Sequence, residues 1–157
     1  MSERTLLLRL LDQAFNRQAW HGTTLAGSLR GVTVQQALWR PDAKRHNIWE
    51  LTLHTAYWKY AVRRRLTGEK RGRFGRAGSN WPKLAKLKDA SAWRDDVAFL
   101  KHEHAALRAV VAGLSPTKLS ARSATRRWRN SELIHGVAAH DLYHAGQIQL
   151  LKRLQRP

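Results

Sequence analysis

Between Trp93 and Leu114 the side chains that favour an interior recur as Trp93, Val97, Leu100, His104, Leu107, Val111 and Leu114, in steps alternating between four and three. A helix turns once in about 3.6 residues, so this spacing keeps the whole series on one side of a helix. It predicts a helix from near Asp89 to near Gly113 that buries one stripe against neighbours. Three further segments carry the same period. The first runs roughly from Glu3 to Gln18, with Leu7, Leu10, Leu11 and Ala14 on one face. The second runs from about Ile48 to Leu66, with Ile48, Leu51, Trp58, Val62 and Leu66 in phase and His54 in the gap between. The last starts at a cap on Asn130 or Ser131 and runs to about Leu154, with Leu133, Val137, His140, His144, Ile148 and Leu151 as its stripe. The chain offers no pair of strands, no internal repeat and no low-complexity tract. Four amphipathic helices, each needing cover for one face, predict an all-α fold of the four-helix-bundle type. A length of 157 residues suits one domain, residues 1–157.

The connections are marked by residues that stop or start helices. Gly22 breaks the first pattern, and Thr23 or Thr24 is placed to cap a short second piece. Pro41 ends the next stretch, Asn47 is positioned as N-cap of the second long helix, and Gly68 closes it. The segment GEKRGRFGRAGSNWPKLAKLK, from Gly68 to Lys88, has no helical period and is long for a bundle loop. It is expected to be a long crossover or a functional loop. A second basic link, SPTKLSARSATRRWRN, precedes the last helix.

Chemistry concentrates in HGVAAHDLYHAGQ, near the end of the chain. His140 and His144 are one helical turn apart, leave the same face, and lie on the apolar stripe. His54 lies on the inward stripe of another helix. Two imidazoles from one helix and one from another are able to meet on a single ion and leave coordination positions open. The pair alone leaves a second reading open, that of hydrogen-bonded core histidines. It lacks the Glu of the zinc-protease pattern, since Asp141 and Leu142 follow His140. Burying neighbouring imidazoles is costly unless something binds them. His104 stands alone on its stripe and reads as a hydrogen-bonded core residue. His21 sits at a helix break from which it is able to approach a pocket, while His46, His102 and His135 read as peripheral. Around the histidines, Glu50 lies one turn before His54 and is placed either to hold its ring N–H or to serve the helix N-terminus. Gln147 lies one turn after His144, Tyr143 flanks the pair with a phenol, and Trp58 lies one turn after His54. Asp141 points about 100° away from His140 and is not expected to be a ligand.

Composition narrows the partners. There is no cysteine, which excludes disulfides, thiolate zinc sites and a cysteine nucleophile. Lysine and arginine number 29 against 11 acidic residues, a formal net charge of +18, which favours anionic partners. No apolar run reaches the length of a membrane span, and the N-terminus lacks the small-residue cleavage site of a secretory signal. A cytoplasmic protein is therefore expected.

The motif HDLYHAGQIQLLKR resembles the closing helix of the DinB-like proteins, which are distinct from the DNA polymerase of similar name. The resemblance extends through AWHGTTLAGSLRGVTVQQALWRP, HNIWELTLHTAYWKYAVRRRLTG and NWP, in the order that family shows. It implies a bundle of up-down-down-up order with a long link between the second and third helices. It also implies a divalent metal, zinc or nickel, on His54, His140 and His144, and pairing into homodimers. Some such proteins resemble thiol-dependent S-transferases or isomerases, with a low-molecular-weight thiol as cosubstrate, and others resemble metal-dependent hydrolases. The strong positive charge departs from that family's usual neutral or acidic character. Two function classes follow. The first is a metalloenzyme acting on a small molecule, such as an anion. The second is a basic nucleic-acid-binding module, using Arg63 to Lys88 and Lys118 to Arg129 with Phe74, Trp81 and Trp128 interleaved, in which the metal site is structural or vestigial.

Overall fold

The computed structural model describes residues 1–72, 74–123 and 127–155. Its elements are α1 (Glu3–Phe15), α2 (Leu25–Ser28), α3 (Val34–Leu38), α4 (Ile48–Thr67), α5 (Ala90–Ala112), α6 (Pro116–Ser120) and α7 (Asn130–Leu154). Among the described residues there is no strand, only an isolated antiparallel bridge between Arg122 and Arg129. No described helix is long and apolar enough to cross a membrane.

Side-chain caps set most of the helix starts. Asn47 accepts from the Glu50 amide while Glu50 reaches back to the Asn47 amide, a reciprocal box that starts α4. Asp89 caps α5 and Thr24 caps α2. Gly68 ends α4 at φ +79°, a left-handed conformation that costs glycine little. Three details differ from the sequence expectations. The first helix stops at Phe15 rather than near Gln18, with Asn16 as its C-cap. The last helix is preceded by Arg129, whose amide donates to Glu132 at 2.6 Å; Asn130 is already helical and spends its amide group on the Lys118 carbonyl. The basic link before the last helix contains α6, started by Ser115 with Pro116 in its first turn, and a further short helix not expected from the sequence, α3, is boxed by Thr33 and Gln36.

Helix α4 is the centre of the arrangement. It packs on both α5 and α7, and α1 packs on α5 and α7 from the other side. Twelve of its residues are therefore buried, far more than one stripe. One apolar cluster gathers Phe15, Leu25, Trp49, Leu53, Trp93, Leu100 and Ile148. A second gathers Leu7, Leu11, Val62, Leu107, Ile134 and Val137. The long link from Gly68 to Lys88 is tied down on α4 and α5. Phe74 packs against Tyr57, Tyr60 and Phe99. The Arg76 Nε donates to the buried Asp96 at 2.6 Å, and the same carboxylate accepts from the Trp49 indole at 2.7 Å. The link is thus held where α4 begins.

His104 lies on its stripe as expected but is not hydrogen-bonded. It is 4 % exposed, both ring nitrogens are without partners, and its ring stacks on Phe15 with centroids 3.8 Å apart. Burial, helped by the nearby Lys59 cation, pushes its pKa down to about 3. Unfolded, the same group titrates near 6.5. The native chain thus refuses a proton that the unfolded chain accepts, so stability is full above about pH 6.5 and falls as pH drops toward about 3. Replacing His104 with Leu is expected to flatten the dependence of unfolding free energy on pH between about 6 and 4 by about 1.4 kcal/mol per unit. Urea unfolding at a series of pH values measures it, and a slope equal to that of the wild type contradicts it.

Candidate metal centre

His54 on α4 and His140 and His144 on α7 meet at their Nε2 atoms. The His140 Nε2 is 3.1 Å from that of His54 and 3.0 Å from that of His144. One ligand nitrogen from each residue falls within a group spanning no more than 4.8 Å. The other ring nitrogens decide which form each imidazole takes. The His54 Nδ1–H donates to the main-chain carbonyl of Asn80 at 2.6 Å, and a carbonyl only accepts. The His144 Nδ1–H donates to the Gln147 Oε1 at 2.6 Å, while the Gln147 amide nitrogen donates to the Tyr143 hydroxyl at 3.3 Å. Both Nε2 atoms are therefore bare lone pairs aimed at His140. A single N–H on the His140 Nε2 serves only one of them. At least one contact near 3 Å thus sets lone pair against lone pair, an arrangement that a shared cation relieves.

The two pairs that His140 makes have the spacing of ligands on such a cation. Two nitrogens each about 2.0–2.1 Å from one ion, at angles between octahedral and tetrahedral, stand about 2.9–3.4 Å apart. The imidazoles also stay neutral, as ligands must. Burial pushes His140 down to about 3 and His144 down to about 4, with the neighbouring imidazoles adding to the shift. Burial likewise lowers His54, against the opposing pull of its bond to Asn80.

The surroundings fix these rings from several sides. Asn80 is in the left-handed region at φ 55°, a conformation asparagine tolerates better than most residues. Its carbonyl holds His54 and its side-chain oxygen accepts from the Trp58 indole at 2.9 Å. Next to it, Trp81 stacks on His54 with centroids 3.9 Å apart and on His46 at 3.5 Å. Below His140, Asp141 pairs with Lys59; both side chains are wholly buried. Burial presses Lys59 down and Asp141 up, and each opposes the other's shift through their mutual attraction. Such a pair adds little net stability over apolar residues, but it leaves few alternative packings of α4 against α7.

The residues named from sequence separate as follows. Gln147 holds His144, and Tyr143 reaches the site only through Gln147, with its side chain largely exposed. Trp58 packs edge-on to His54 and His140. Glu50 does not hold His54: its carboxylate is taken by Arg40 in a two-pronged ion pair, by His46, and by the capping amide of Asn47. His21 is exposed and has no contact with the three histidines. His46, read as peripheral, instead supports the site through Trp81. Asn80 and the Lys59–Asp141 pair were not singled out. The one signal for the pair was a lone cation inside the apolar run AYWKYAV. Of the aromatic residues interleaved with basic ones, Phe74 packs onto α4 and α5 and Trp81 stacks on His54 and His46, while Trp81 and Trp128 keep exposed surface. Arg73 and residues 124–126 of those basic segments lie outside the described residues.

The model of one family, the DinB superfamily, matches residues 17–148, a span that includes all three histidines. No curated protein and no solved structure matches the chain.

Asn80 bears on the candidate centre through His54 and Trp58. Asn80→Ala strains the left-handed turn and removes the bond to Trp58, and is expected to weaken zinc binding by about 10–100-fold. Asn80→Gly, which keeps the turn and loses only the side chain, is expected to fall between. Competition with a chromogenic chelator reads both, and an affinity for Asn80→Ala equal to that of the wild type contradicts the role.

Proposed function

The chain belongs to the DinB superfamily, and from that premise we propose that it is a metal-dependent enzyme whose divalent ion, zinc or nickel, is held by His54, His140 and His144. The observation that carries the reading is the meeting of three neutral imidazole nitrogens with two of their lone pairs forced to face one another. An ion held there supplies a Lewis acid with open positions, able to lower the pKa of a thiol or water. The reaction class is S-transfer with a low-molecular-weight thiol, or hydrolysis. The chain's own residues do the rest. Asn80 and Gln147 keep His54 and His144 in the tautomer that presents Nε2, Trp58 and Trp81 wall off the rings, and Lys59 with Asp141 sets the height of His140 on α4.

Other parts of the proposal have separate support. The up-down-down-up order is supported by contacts that advance together on α4 and α5, Trp49 to Asp96 and then Arg63 to Glu103. On α1 and α5 they run oppositely, Arg4 to Leu114 and Asp12 to Arg108. A single domain over residues 1–157 agrees with the length of the family match. A homodimer would cover the exposed Leu150 and Leu154, one turn apart on α7. A cytoplasmic location suits a chain that uses no cysteine and needs no oxidising compartment. The nucleic-acid-binding reading keeps the net charge and the exposed Trp128 as its support, while Phe74 is spent on packing.

Purified protein equilibrated with zinc or nickel and then desalted is expected to retain about one ion per chain by elemental mass spectrometry, the loading that a single site takes. His144→Ala is expected to retain none. Loaded wild type, unlike the His144→Ala variant, is expected to accelerate consumption of a small thiol by an electrophile, or hydrolysis of an activated ester. Retention of the ion by His144→Ala, or rates equal with and without metal, contradicts the reading.

A further inference from the structure

A cavity of about 810 Å³ opens directly beside His140. Helical spacing explains why it continues the site. On α7, Gly136, His140 and His144 follow at intervals of four, so Gly136 occupies the ligand face one turn before His140. On α4, His54, Trp58 and Val62 follow at the same interval, and Val62 shares the second apolar cluster with Leu133 and Val137. The faces that bring the imidazoles together therefore run on as the walls of the cavity. At Gly136 a β-carbon would meet nothing within 4 Å, so the space a side chain would enter is open.

The lining is apolar with a few polar groups, and the volume suits a small molecule. Val62, Leu133 and Val137 supply aliphatic surface, and Trp58 and Trp128 supply aromatic walls. Two cations stand on those walls: the Arg65 guanidinium lies 5.5 Å from the Trp58 ring and that of Arg127 lies 5.2 Å from the Trp128 ring. Arg65 is the more buried of the two. Arg40, Arg63, Arg76 and Arg108 each have a carboxylate partner, whereas Arg65 has none among the described residues. Its Nε is buried without a hydrogen bond, and burial together with the nearby Arg64 cation lowers its pKa. A partly desolvated guanidinium without a counter-charge is a ready partner for a planar anion, which it grips with two parallel N–H donors. Glu132, the carboxylate on the wall, already accepts from the Arg129 amide. The guanidinium, the Trp58 ring and the His140 ring succeed one another at 5.5 and 6.1 Å.

We propose that this cavity binds the substrate of the metal site, a small carboxylate with an apolar or aromatic body, its carboxylate on Arg65 and its body along Trp58 and over Gly136 toward His140. The proposal rests on the metal-centre reading for the role of the His140 end, but not for the grip on the anion. The probe is 3-phenylpropionate, titrated calorimetrically into zinc-loaded full-length protein, with 3-phenylpropionamide as its uncharged analogue and inorganic phosphate as an anion without a body. The acid is expected to bind, and the amide and phosphate to bind at least about tenfold more weakly, as loss of a hydrogen-bonded charge or of buried apolar surface requires. Arg65→Met is expected to lose about tenfold or more. Gly136→Leu fills the open space with a good helix former, and is expected to abolish binding while keeping the melting temperature and zinc content.

Equal binding of acid and amide, of acid and phosphate, of wild type and Arg65→Met, or of wild type and Gly136→Leu overturns the proposal. So does failure of the acid to bind protein that holds its zinc. If the wild type takes up no zinc yet binds the acid with the same dependence on Arg65 and Gly136, the cavity stands and the metal reading falls.

Discussion

Three imidazole nitrogens, those of His54 and His144 each about 3 Å from that of His140 and fixed as lone pairs, form the constraint around which the rest is arranged. Such a cluster is unfavourable without a positive charge at its centre, and burial prevents the charge from being a proton at neutral pH. Each outer contact closes off an escape. Were His54 free to flip, its proton could relieve the clash, but the Asn80 carbonyl holds that proton on Nδ1. Were His144 free, the same would follow, but Gln147 holds it. The proposed affinity for a cation is built by hydrogen bonds to the outer ring nitrogens.

Maintaining that constraint requires α4 and α7 to keep one height and one rotation. The buried pair of Lys59 and Asp141 supplies this at the position next to His140. A one-turn slip would leave both charges buried without partners, at a cost of about 3–5 kcal/mol or more. From the other side the long link is anchored by Arg76 on Asp96, which also ties Trp49 into the core. With that anchor, Asn80 and Trp81 reach His54 from a segment without regular structure. A loop becomes a precise element when its ends and middle are fastened to two helices.

Much of this was legible in the sequence, because helical phase is a property of spacing alone. The stripes that place His54, His140 and His144 inward are the stripes that form the core, so their meeting follows from phase, while the choice between core residues and ligands rested on the resemblance to the DinB-like proteins. What escaped notice depends on atoms that spacing does not describe. Asn80 contributes a main-chain carbonyl, which every residue has, and nothing in its side chain announces that use. Glu50 had the right phase for His54, but the sequence did not show that Arg40 would fold back to claim it. Lys59 and Asp141 lie on different helices, and only their meeting makes the burial of both tolerable. His46 is exposed as its position suggests, and its stacking on Trp81 is a contact between distant segments that spacing does not describe. The third and sixth helices are single turns started by local caps, too short to leave a period.

The most direct measurement is an anomalous difference map from crystals of the zinc-loaded protein, recorded on either side of the zinc absorption edge. One peak is expected, about 2.0–2.1 Å from the Nε2 atoms of His54, His140 and His144. No peak there, or zinc held elsewhere with the three nitrogens bridged by water, contradicts the account.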